Sequence, residues 1–125
     1  MSHFKALMTA IYPAPDLAKA KAWYAEAFGV QPYFDEPFYV GFNVAGFELG
    51  LVPSEARTHQ PGNSGVVAYW GVENANAAFA RLRSLGAAEI DPVRDVGEGI
   101  QVAIVADPFG NAIGIIENPH FTGAA

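Results

Sequence analysis

The strongest constraint in this chain is that it states one structural theme twice. Residues 4–53 run apolar strand, amphipathic helix, then three short strand-like segments, and residues 64–118 repeat that order. A polar linker, 54–63, carries Pro61-Gly62-Asn63 between the copies, and 119–125 form a tail. Strands and one helix in each copy predict an α+β chain, a single domain over 1–125 made of tandem βαβββ modules.

Local signals place the elements. The first strand, 5–12, meets Pro13-Ala14-Pro15, which removes backbone donors, and Asp16 follows where a helix N-cap belongs. Over 17–28, Ala20, Trp23, Tyr24 and Ala27 recur at helical spacing, and Gly29 closes the helix. Strands are predicted over 30–35, 39–44 and 47–52, the last two joined by the tight turn Ala45-Gly46. The second module predicts a strand over 65–72, an Asn74 cap, and a helix over 75–85 with Ala75, Ala78, Phe79 and Leu82 on its buried face. Gly86 ends it, and strands over 88–93, 99–106 and 112–117 follow.

Composition narrows the function. An apolar fraction of 51% against 16% charged residues is high for 125 residues. It implies an apolar cavity or an apolar surface covered by a partner, most simply in a homodimer. The net charge of −6, with no basic stripe, excludes nucleic acid and anionic membrane as natural partners. No apolar run approaches the roughly 18 residues of a membrane span, and the N-terminus lacks a secretory pattern. Zero cysteines remove disulfides, thiolate metal sites and cysteine nucleophiles, and a cytoplasmic protein is expected.

The doubled pattern, the helix phrase Asp16-Leu17 through Trp23-Tyr24 to Phe28-Gly29, and the turn Asp107-Pro108-Phe109-Gly110-Asn111 before a final apolar strand resemble the glyoxalase, bleomycin-resistance and extradiol-dioxygenase superfamily, also called vicinal oxygen chelate. The resemblance covers nearly the whole chain. It implies that each module forms a curved four-stranded mixed sheet, that the sheets make a cup with helices outside, and that small chains pair as homodimers.

The same resemblance implies a divalent ion in the cup, held by His, Gln or Glu on the first and last strands of each module. The matching positions here are Thr9, Gly50, Val67 and Gly114, none of which supplies a carboxylate or imidazole. Glu117 lies three residues beyond Gly114, on the opposite strand face, and His3, His59 and His120 fall in the terminus, linker and tail. Neither metal nor other cofactor is therefore expected. The paired glycines read either as strand positions of close backbone approach or as room for an organic ligand.

Strand alternation assigns Thr9, Tyr39, Asn43, Glu48, Gly50, Val67, Tyr69, Gln101 and Gly114 to the cup as candidate ligand-binding positions. A mostly apolar pocket with a few polar anchors suits a small aromatic or amphipathic molecule. Glu48, alone on an apolar wall, is the candidate general base or cation-binding group. Metal-free binding of a small, largely apolar organic molecule leads. A metal-dependent lyase, epimerase or dioxygenase and a metal-independent enzyme using Glu48 as acid or base are the alternatives.

Overall fold

A computed structural model of the protein describes residues 3–55 and 58–121. The chain divides into two compact units between Pro61 and Gly62, inside the expected linker, and each unit is one βαβββ module.

Module one comprises β1 (Thr9–Ala14), α1 (Leu17–Phe28), β2 (Pro32–Glu36), β3 (Tyr39–Val44) and β4 (Phe47–Pro53). Its sheet has the order β1-β4-β3-β2, with β1 parallel to β4 and the other pairs antiparallel. The helix occupies its expected span. Asp16 accepts a hydrogen bond from the Lys19 amide at 3.2 Å, and Gly29 closes the last turn with φ 68°. Ala20 and Tyr24 bury completely, and the Tyr24 ring packs edge-on against Tyr12 at 5.3 Å and stacks with Phe28 at 5.8 Å. Val40, Phe42, Leu49 and Leu51 complete the core on that face of the sheet. Burying such side chains contributes roughly 1.5–3 kcal/mol each, which holds the helix on the strands.

The first strand departs from its expected span. The first strand begins four residues later and runs through Pro13, because β1 is an edge strand paired only with β4, where a missing donor is tolerated. The β3–β4 turn needs positive φ at both central residues, and Ala45 (52°) and Gly46 (95°) supply it.

Module two comprises β5 (Tyr69–Gly71), α2 (Ala75–Ser84), β6 (Ala88–Asp95), β7 (Gln101–Ala106) and β8 (Ala112–Glu117), with sheet order β5-β8-β7-β6. Asn74 caps α2 by accepting from the Ala77 amide at 2.9 Å. Glu117 reaches the same helix start, its Oε1 accepting from the Ala75 amide at 2.8 Å. That contact places Glu117 on the helix side of the sheet, as its odd spacing from Gly114 requires. The strand expected over 65–72 shrinks to three residues, since pairing with β8 begins only at Tyr69 opposite Gly114. No helix among the described residues is long and apolar enough to cross a membrane.

The Asp107–Asn111 turn is held from inside. Both residues are buried, and Asp107 Oδ1 accepts from the amides of Phe109 and Asn111 at 2.8 Å while Oδ2 accepts from Asn111 Nδ2 at 3.1 Å. These contacts set the entry of β8 and hence the register of Gly114. Replacing Asp107 by Ala strands two buried amide donors and is expected to cost about 3 kcal/mol in urea unfolding, whereas Pro108→Ala on the exposed side costs under about 1 kcal/mol.

Candidate functional site

The face of module one's sheet turned away from α1 is read directly from its register. Thr9 pairs with Glu48, Ile11 with Gly50 and Pro13 with Val52, while Gly41 pairs with Gly50 across β3 and β4. Two adjacent glycines therefore leave a strip of bare backbone in mid-sheet, and tyrosine rings lie across it. The Tyr39 hydroxyl sits 2.2 Å from where a Cβ on Gly50 would stand, and the Tyr33 ring sits 3.0 Å from the equivalent point on Gly41. Neither glycine accepts a side chain without moving its cover.

Those rings converge on Glu48. The Tyr39 hydroxyl donates a hydrogen bond to Glu48 Oε2, and the Tyr33 hydroxyl also interacts with that carboxylate. Thr9 Oγ1, on the strand beside them, is buried and bonds the Tyr39 hydroxyl. Desolvation first, then hydrogen bonding to Glu48, raises the Tyr39 phenol above 10.0, with charge repulsion from Glu48 and Tyr33 adding and the hydrogen bond from Thr9 opposing. Desolvation and Glu48 also raise the Tyr33 phenol, although that ring is 63% exposed and water screens the pair. Both phenols remain protonated donors through neutral pH.

Tyr33 and Phe34 both reach this face because β2 carries a register shift between Pro32 and Phe34. Phe34 stands opposite Gly41, and its ring lies 6.2 Å from that of Tyr39 and 6.1 Å from that of Phe38. Sequence reasoning missed Tyr33 and Phe34, since strict alternation sends only one of two neighbours to a given face. The Tyr-Phe pair in a strand following Pro32 is the one available hint.

Among the expected positions, the structure brings Thr9, Tyr39, Glu48 and Gly50 together. Glu48 is not the isolated carboxylate that was expected, since two phenols surround it. Asn43 pairs with Glu48 in the ladder and so lies on the expected face, while its Oδ1 accepts from the Gly46 amide at 2.7 Å and braces the β3–β4 turn. One further residue departs from expectation. Gln101 is the correction. It pairs with Glu117, whose side chain points to α2, whereas Ile104 pairs with Gly114, so β7 turns Val102 and Ile104, not Gln101, toward the glycine face. Polarity misled the assignment because Gln101 sits at the strand end, near Asp95.

In module two, Tyr69 lies over Gly114, its Cδ2 2.7 Å from the position of an added Cβ. Val67, half-buried, precedes β5 by two residues and holds the place of Thr9. The counterpart of Glu48 is Ala112, so this face is apolar, with Val102, Ile104 and Ile116 around Tyr69. The polar cluster exists in module one alone.

The Glyoxalase/Bleomycin resistance protein/Dioxygenase superfamily model matches residues 3–115. The chain belongs to this superfamily. No curated protein matches it. Solved structures similar to it include a glyoxalase-related enzyme from Fulvimarina pelagi, at 21% identity and TM-score 0.79 over 98% of this chain and 94% of that one. A lactoylglutathione lyase from Agrobacterium tumefaciens gives 19% identity and TM-score 0.72, over 95% and 98% of the two chains. A glyoxalase/bleomycin resistance protein/dioxygenase family enzyme from Burkholderia phytofirmans PsJN gives 17% and 0.75, over 90% and 98%. At these identities the likeness concerns the fold.

The superfamily's metal does not fit the residues at the matching positions. Beyond their lack of donors, the space that a carboxylate at 50 or 114 would enter is filled by Tyr39 or Tyr69. Among the described residues no three His, Asp or Glu side chains cluster as metal ligands.

Two measurements check this geometry. Gly50→Ala is expected to destabilise the protein by about 1–3 kcal/mol through overpacking, and by at least about 1 kcal/mol less in a Tyr39→Leu background, where the obstructing hydroxyl is gone. In a spectroscopic alkaline titration, Tyr33 and Tyr39 should ionise above 10.0, and Glu48→Gln should move both back toward it. Because the folded-state values are raised, the associated stability is complete below pH 10.0 and is lost as pH climbs through the folded values.

Proposed function

We propose that this glyoxalase-superfamily protein binds a small, largely apolar organic molecule on the glycine-backed face of module one, without a metal. The observation that carries the reading is the Tyr39 phenol lying over Gly50 and bonded to Glu48. It replaces an ion-binding position with a ring and a hydroxyl. Exposed Tyr33 and Phe34 supply apolar contact, and Glu48 with the Tyr39 phenol supplies the polar anchor that fixes orientation. Tyr69 over Gly114 makes a separate, apolar face in module two.

Pairing of two copies belongs to the same reading. Leu7, Met8 and Val66 are 75%, 72% and 100% exposed, more apolar surface than a lone chain of this size favours in water. A metal-independent enzyme is the second reading, favoured by one contact: a carboxylate hydrogen-bonded to a phenol is a competent base and acid on one face.

A thermal-shift screen of aromatic and amphipathic compounds on metal-free protein tests the first reading. Ligands present at about 100 times Kd should stabilise by about 2.7 kcal/mol, undiminished by chelator. Stoichiometric Fe, Mn, Ni or Zn in the purified protein, with ligand binding lost on its removal, would overturn it. Turnover of a bound compound that Glu48→Gln abolishes while binding persists selects the second reading.

A further inference from the structure

We infer that the ligand of the module-one face is an organic cation carrying an aromatic or aliphatic body, an inference that rests on the binding reading above. The four strands of this module contain no Lys or Arg, but they carry Asp35, Glu36 and Glu48. Register divides these carboxylates between the faces. Asp35 pairs with Val40, on the α1 side, where Lys21 neutralises it at 2.9 Å. Glu36 pairs with Tyr39 and therefore stands on the glycine face with Glu48, where neither has an ion-pair partner among the described residues. That face thus holds two carboxylates and the rings of Tyr33, Phe34 and Tyr39, with no strand cation to balance them.

Carboxylate and ring faces attract the same species. An ammonium or guanidinium gains from the negative faces of nearby rings and from a charge-assisted hydrogen bond to a carboxylate, whereas an anion meets repulsion from both. The phenols donate to Glu48, which leaves its remaining lone pairs directed at a ligand donor. Thr9 stands opposite Glu48 in the β1–β4 ladder, and its hydroxyl bonds the Tyr39 phenol that in turn bonds Glu48, so the ring beside the carboxylate is held in place from both sides.

Calorimetric titration of the full-length protein with benzylamine, benzyltrimethylammonium, benzyl alcohol and benzoate tests this at low ionic strength. Both cations should bind at least about tenfold tighter than the alcohol, with benzoate weakest. Glu48→Gln should lower cation affinity about tenfold. Tyr33→Leu, at a ring 63% exposed and replaced by another apolar cover, should lower it about threefold. Equal binding of the alcohol or benzoate, or cation binding indifferent to Glu48→Gln and Tyr33→Leu, overturns the inference. If a neutral compound binds this face without cation preference, the binding reading survives alone. If neither these probes nor the wider screen bind, both fail.

Discussion

The site depends on a vacancy in side chains, not on their presence. Gly41 and Gly50 face each other across β3 and β4, and a sheet interior without side chains is a weak point unless something covers it. Tyr33 and Tyr39 supply that cover. Their hydroxyls are thereby fixed at the height where Glu48 emerges one strand position away. Packing and polarity are inseparable here, because the rings that fill the strip also deliver the donors that partner the carboxylate. The same contact raises both phenols and keeps them as donors.

Much of the fold was legible because its signals are local. Asp16, Gly29 and Asn74 bound helices through chemistry that operates within one turn, and the Asp107–Asn111 turn is closed by its own side chains. The equivalence of Gly50 and Gly114 was legible too, since each lies in the closing strand of its module and pairs with the opening one. What could not be read was whatever depends on a partner strand. The bulge that turns both Tyr33 and Phe34 to one face exists only in the pairing of β2 with β3. Gln101 was assigned by polarity, but its face is fixed by the register that pairs it with Glu117. Asn43 lies on the expected face, yet the nearby turn claims its amide.

The two modules share a frame and have parted in content. Glycines at 50 and 114 each lie beneath an aromatic ring, but the ring comes from β3 in module one and from β5 in module two. Where module one has Glu48, module two has Ala112. One face became a polar cluster with aromatic walls and the other an apolar surface. Duplication thus fixed the strands and helices while leaving the chemistry of each face independent.

Tyr39 over Gly50 also restricts the order in which this chain can change. A single substitution that installs an acidic residue at position 50 drives its Cβ into the phenol, so the protein loses packing before gaining any ligand. Shrinking Tyr39 first removes the cover and the hydrogen bond to Glu48 together. Either first step is uphill, so the two positions can change only together.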